Sequence, residues 1–339
     1  MRRTDFAQCL EAYLRVYLPG QAGLSENTIM AYRDTFIQML HFIENTKKKK
    51  PDKLTLADFN FQLIVDFLDW LEKEKHNSIS TRNQRLAAIR AFAKYARSRY
   101  PEFMHELQKI SDIRTKKHPK PELAYLTPDE VRAVLEPIPT DSLYGRRDLA
   151  LLTLLYDSAA RVQEICGLRV RDIRLQKPYT IKLTGKGQKA RWVPVMSGTA
   201  DILKKYVAEN RLGTPEKADS PFFFNHRNTF LTRAGVTYIL KKYYSITRQK
   251  HPELPEIISP HVFRHSKAMH MLQAGIPLTD IRDFLGHEHV DTTEIYAKTD
   301  TEMSRKKLEE AQVTIDSDLP DWNDDKNLMA MLTSLCGKN

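Results

Sequence analysis

Across the first ~110 residues, apolar positions recur at helical spacing. Behind Ser25, a residue suited to an N-cap, they fall at Ile29, Tyr32, Phe36, Leu40, Phe42 and Ile43. Residues 61–75 place Ile64, Phe67, Leu68 and Leu71 on one face. A further helix, starting near Ser78, carries Leu86, Ile89, Phe92, Ala93 and Ala96, with Arg82, Arg85, Arg90 and Lys94 projecting elsewhere. Stripes of this kind are stable when packed against one another, so the pattern predicts a small helical bundle with one basic helix. The period fails between Ser111 and Leu126, where RTKKHPKPELAY is basic and holds two prolines. A linker over 111–125 is therefore expected after a first body spanning 1–110.

Beyond the linker, Thr127-Pro128-Asp129-Glu130 reads as a helix start, with an N-cap, proline at the first helical position and acids in the first turn. Helices are predicted over 145–158 and around Arg161 to Cys166, with Gly167 ending the second. Tyr179 to Leu183 and Arg191 to Val195 alternate and are joined by Thr184-Gly185-Lys186-Gly187, the signature of a β-hairpin. Helical patterns resume at 197–210, 232–248, 260–274, 278–285, 291–297 and 301–311. An acidic segment with Asp316, Asp318, Asp321, Asp324 and Asp325 then leads into the apolar NLMAMLTSLC. The fold class is mainly α with one small sheet. A second body over 126–312 is followed by an acidic tether and terminal helix over 313–339.

Composition sharpens this picture through charge. Residues 81–120 carry 11 basic and 3 acidic side chains, residues 161–250 carry 19 and 6, and residues 271–339 carry 7 and 14. Such segregation points to a polyanion contacting part of the molecule, with nucleic acid the leading partner. The longest apolar runs, such as Leu149 to Tyr156, are far short of the ~20 residues that cross a bilayer. The start, MRRTDFAQCLEAYL, lacks the apolar core of a secretory signal. Cys9, Cys166 and Cys336 are scattered, which fits a reducing compartment. A cytoplasmic, nucleoid-associated protein with no membrane contact is expected.

Several residues could carry chemistry. In Ser259-Pro260-His261-Val262-Phe263-Arg264-His265, His261 and Arg264 share a face of a helix's first turn, where the helix dipole favours an anion. His261 and His265, four apart, could instead ligate a metal, with His287 and His289 as possible further ligands, but Val262 stands where the HExxH motif requires Glu. Arg161 and Glu164 are spaced for a salt bridge along a helix. Lys186 lies between two glycines at a hairpin tip, where the backbone can approach a ligand closely. Gly286-His287 follows an amphipathic stretch, and Tyr296 comes nine residues after His287.

Taken in order, Arg161 with Glu164, Lys186 at a hairpin tip, HxxRH, LGH and then Tyr296 resemble the tyrosine recombinase (phage integrase) family. LSENTIMAYRDTFIQMLHFI and STRNQRLAAIRAFAKYA resemble helices of its amino-terminal core-binding domain, a SAM-like bundle, and residues from about 122 onwards resemble its catalytic domain of the DNA breaking-rejoining fold. The chain departs from the family pattern in Ser158-Ala159-Ala160, where Thr-Gly-Leu is frequent, and at Phe263 and Lys267. No catalytic group is lost.

The resemblance implies strand transfer through a 3′-phosphotyrosine formed by Tyr296. Arg161 and Arg264 would hold the nonbridging oxygens, and His261 and His287 would hydrogen-bond to phosphate and tyrosine. Lys186 would act as general acid, and Glu164 would orient Arg161. It implies no cofactor, metal or ATP, and it implies double-stranded DNA with paired sites as partner. A homo-oligomer, tetrameric in the synaptic complex, is expected, with a partner recombinase or accessory factor in some systems. Two bodies could clamp a duplex, with Arg82, Arg85 and Arg90 on one face. Leu328 to Leu335 could dock in trans on a neighbouring protomer or in cis. Integration, excision or transposition of a mobile element is the leading role and Xer-like dimer resolution the alternative. A type IB topoisomerase or a non-catalytic DNA-binding regulator are the rival classes.

Overall fold

The computed structural model describes residues 3–117, 124–287 and Thr293. It forms two compact units that part between Pro121 and Glu122. In the first, helix α1 (Asp5–Ala12) continues as wider π-type turns over Tyr13–Gln21, followed by α2 (Glu26–Lys47), α3 (Phe61–Lys73), α4 (Ile79–Arg97) and α5 (Met104–Asp112). Local signals set the helix starts: Asn60 accepts from the Leu63 N–H and Ser78 from the Thr81 N–H, each satisfying a donor left over at the first turn. Ser25 precedes α2 as expected, although its hydroxyl pairs with that of Thr28 and not with the backbone.

Phe92 of α4 is the centre of this unit. It is wholly buried, and the rings of Phe6, Tyr13, Phe36 and Phe59 meet it edge-on with centroids 5.1 to 5.8 Å away. The basic face expected on α4 is only partly there. The Arg82 side chain is 7% exposed and its Nε lies 3.0 Å from Glu72 of α3. Arg85 donates from Nη1 to the Ala31 carbonyl and the Thr35 hydroxyl of α2, both at 3.1 Å. These two arginines tie α4 to its neighbours, because a guanidinium facing the bundle must find acceptors there; Arg90 alone of the three is exposed. The expected linker also begins too early. α5 extends to Asp112, and Lys116 stays on this unit through backbone bonds to Asn83 and an ion pair with Glu72.

The second unit opens with α6 (Pro128–Leu135), where the predicted N-cap Thr127 is part of a capping box: Thr127 accepts from Glu130 N–H while Glu130 accepts from Thr127 N–H. Helix α7 (Leu143–Asp157) runs through the core, with Leu151, Leu152, Leu154 and Leu155 all fully buried. After α8 (Val162–Cys166) comes an antiparallel sheet in the order β1 (Ile173–Arg174), β2 (Thr180–Thr184), β3 (Ala190–Pro194). The predicted hairpin is β2–β3, in register Ile181 with Val193 and Leu183 with Arg191. β1 went unpredicted because two residues show no period. Helices α9 (Ser197–Glu209), α10 (Arg233–Lys250), α11 (Pro260–Gln273) and α12 (Leu278–Leu285) complete the described chain. Apart from Thr293, the helices expected at 291–297 and 301–311, the acidic tether and the terminal helix lie outside the described residues. Among those described, no helix is long and apolar enough to cross a membrane.

Candidate active site

Three segments of the second unit meet at one cluster. The first is the turn from α7 into α8. Ser158 closes α7 by donating to the Leu154 carbonyl at 2.6 Å, and Ala159 then takes a left-handed φ of 45°. That conformation costs an L-residue ~1–2 kcal/mol, which explains why glycine is frequent here in the family the sequence resembles. In this chain the Ala159 methyl is instead buried in a cluster with Ala268, Met269 and Leu272. The turn delivers Arg161 to the start of α8. Its backbone N–H and Nη1 both bond Glu164, at 2.7 and 3.2 Å.

Helix α11 supplies the second segment. Pro260 occupies its first turn as predicted, and Arg264, only 3% exposed, reaches across to the Ala159 carbonyl (2.6 Å) and the Leu285 carbonyl (2.7 Å). The third segment is the end of α12, where Gly286 adopts a φ of +65° and turns the chain out of the helix. Its carbonyl accepts from Arg161 Nη2 at 3.1 Å. Arg264 and Arg161 are thus hung on consecutive carbonyls, those of Leu285 and Gly286, with His287 next in the chain and its Nδ1 3.1 Å from the Thr293 hydroxyl.

The cluster is cationic. Arg161 and Arg191 share one buried carboxylate, Glu164, which stays ionised: desolvation opposes its charge, but the Arg191 hydrogen bonds and both arginine charges outweigh this and hold its pKa below the usual value. The histidines stay neutral near pH 7. Burial, then the charges of Arg264, Arg161 and Arg191, push His287 down to about 4. Burial and the neighbouring His261 and Arg264 do the same to His265, also to about 4. His261 is exposed overall yet partly desolvated; that and the charges of Arg264 and Arg161 lower its pKa. Neutral imidazoles beside fixed guanidiniums suit a site that receives an anion and moves protons.

Of the residues expected at the site, Arg161, Glu164, His261, Arg264 and His287 are brought together. The backbone of Lys186 lies in the β2–β3 turn, next to Gly185, whose missing Cβ would stand 3.1 Å from Glu164 Oε1. The Lys186 side chain, Tyr296 and His289 lie outside the described positions. His261 and His265 have ring centroids 6.4 Å apart, and among the described residues no three His, Cys, Asp or Glu side chains converge as a metal site. Arg191 was not foreseen. In the sequence it is one charged residue of an alternating strand, and its partners Glu164 and Phe284 are 27 and 93 residues away, beyond any local signal.

Residues 124–303 match the phage integrase family, and residues 10–100 match the phage integrase N-terminal SAM-like domain. The chain belongs to the phage integrase family. As a tyrosine recombinase it breaks and rejoins DNA strands. This integrase is similar end to end to the candidate integrase/recombinase y4rC of Sinorhizobium fredii, with 33% identity over 98% of this chain and 99% of that one. It is 32% identical to the tyrosine recombinase XerC of Roseiflexus sp. over 85% of this chain and 88% of the relative. Its fold is shared by the Tn1549 transposon integrase solved in complex with transposon right-end DNA, at a TM-score of 0.66 and 18% identity, covering 89% and 98% of the two chains.

Proposed function

We propose that this integrase is the site-specific recombinase of a mobile element, acting through a 3′-phosphotyrosine. One observation carries the chemistry: Arg161 and Arg264 are fixed on successive carbonyls of one turn beside His287, as two donors to a single phosphate would be. In this reading the Tyr296 oxygen, with an ordinary pKa of about 10, bonds to phosphorus as the bond to the 5′ oxygen breaks. His261 takes the phenolic proton and Lys186 returns one to the departing 5′ hydroxyl. The two guanidiniums balance the charge that builds on the nonbridging oxygens, and His287 adds a hydrogen bond. The phosphotyrosine keeps the energy of the broken bond, so rejoining needs no ATP.

The partner is duplex DNA carrying paired sites, gripped chiefly through phosphates and hence in a strongly salt-dependent way. A tetramer would complete exchange, with residues 328–335 docking on a neighbouring protomer. The end-to-end likeness to an integrase/recombinase, y4rC, supports an integrase among the possible roles; with a Xer recombinase also among the relatives, Xer-like dimer resolution is the second reading. A nicked suicide substrate built from DNA flanking the gene tests the chemistry. Wild type should form a denaturation-resistant adduct and Tyr296→Phe none, whereas an adduct persisting in Tyr296→Phe would place the nucleophile elsewhere. Strand exchange between flank-derived sites then separates the mobile-element role from resolution of dimers at a chromosomal site.

A further inference from the structure

We propose that Arg191 is a positioning residue for strand cleavage: by sharing the buried Glu164 with Arg161 it keeps that carboxylate from neutralising the phosphate-binding guanidinium, and it locks β3, the start of α8 and the end of α12 into one unit. Its guanidinium forks onto Glu164, with Nη1 to Oε1 at 2.8 Å and Nη2 to Oε2 at 3.0 Å, and its Nε donates to the Phe284 carbonyl at 3.0 Å. Each of the three guanidinium nitrogens donates within the fold, and the side chain is 16% exposed against 2% for Glu164. Arg191 joins β3 to the start of α8 and to the end of α12.

Two glycines make room for this pair. At Gly286 a Cβ would lie 2.8 to 3.1 Å from three atoms of the Arg191 side chain, and at Gly185 a Cβ would lie 3.1 Å from Glu164 Oε1. The glycine before Lys186 thus borders the carboxylate of this ion pair and the glycine before His287 borders its guanidinium. A shift of the pair moves the backbone beside both residues.

Charge makes the arrangement more than a brace. Glu164 paired with Arg161 alone would form a neutral couple with little attraction for a phosphate. Sharing the carboxylate between two guanidiniums leaves a net positive charge, and the fork holds both Glu164 oxygens on Arg191 while Arg161 keeps Nη2 for the Gly286 carbonyl. Removing Arg191 would strand a buried carboxylate whose one remaining cation is Arg161.

The inference rests on the proposed role of Arg161, and the test separates the two. Single-turnover adduct formation on the suicide substrate, duplex affinity and thermal melting are measured for Arg191→Gln, Arg191→Lys, the double variant Arg191→Gln/Glu164→Gln, and Arg161→Ala. Arg191→Gln should cleave ~10²-fold more slowly with duplex affinity unchanged, as expected for a misplaced reacting group. Arg191→Lys, which keeps the charge but loses the fork, should fall between it and wild type. The double variant should cleave faster than Arg191→Gln, because the stranded carboxylate is gone; a simple brace would give no such recovery. If Arg191→Gln does not fold, Arg191→Lys and the double variant still decide. A double variant no faster than Arg191→Gln, or slower than Arg191→Lys where Arg191→Gln is lost, overturns the proposal, as does wild-type cleavage by Arg191→Gln. Wild-type cleavage by Arg161→Ala would instead overturn the parent reading.

Discussion

Arg264→Ala is the substitution with the most to reveal, because the guanidinium serves two ends at once. Its Nη1 and Nη2 hold the carbonyls of Ala159 and Leu285, two residues with no exposed surface. Each buried carbonyl left without a donor costs ~1–3 kcal/mol, so the second unit should lose a few kcal/mol of stability. The lost bond to Ala159 also releases a residue held at a left-handed φ just before Arg161. Cleavage should fall further than folding explains: withdrawing one preorganised donor from a developing oxyanion costs roughly 10²–10³-fold in rate. Melting without DNA reads the first effect and single-turnover adduct formation, below the melting transition, reads the second. Arg264→Lys, which keeps the charge but cannot span both carbonyls in a planar fork, should recover part of the stability and little of the rate. A variant that melts like wild type would show that the carbonyl bonds carry no weight. One that folds and cleaves at near wild-type rate would refute the role of Arg264 in the chemistry.

Other predictions follow from single contacts. Phe92→Ala removes the ring on which four others converge and should destabilise the N-terminal unit by ~3–5 kcal/mol, read as proteolysis within residues 5–112 under conditions where wild type resists. Gly286→Ala forces an L-residue to a φ of +65° and sets its Cβ 2.8 Å from Arg191 Nη1, so it should cost at least ~1–2 kcal/mol in melting and slow cleavage; an unchanged melt would contradict the close approach. His265 and His287 are both pushed down to about 4, so between that pH and about 6.5 the unfolded chain binds protons that the folded one does not. Stability of the second unit should therefore fall as pH drops through this window, and His287→Asn should flatten the dependence; denaturant midpoints equal at pH 5 and pH 7 in wild type would count against it.

Much of the protein was legible one element at a time. Helix starts at Ser78 and Thr127, the β2–β3 hairpin and the stripes that bury Phe36, Phe67 and Phe92 all follow from spacing and from the hydrogen-bonding needs of a helix end, which act over a few residues. The order of Arg161, Lys186, HxxRH, LGH and Tyr296 was legible as a resemblance to the family, each motif being a short string of letters. Charge was not. Arg82, Arg85, Arg90 and Arg191 are alike as letters, yet the first two face Glu72 and helix α2, the third faces solvent, and the fourth holds Glu164 and the end of α12. A guanidinium's role is set by the acceptors that packing brings within about 3 Å, and those come from segments tens of residues away. Sequence alone therefore determined the elements and the motifs that carry the resemblance to the family. The tertiary structure decided which cations are committed to the fold and which turn holds the two arginines together.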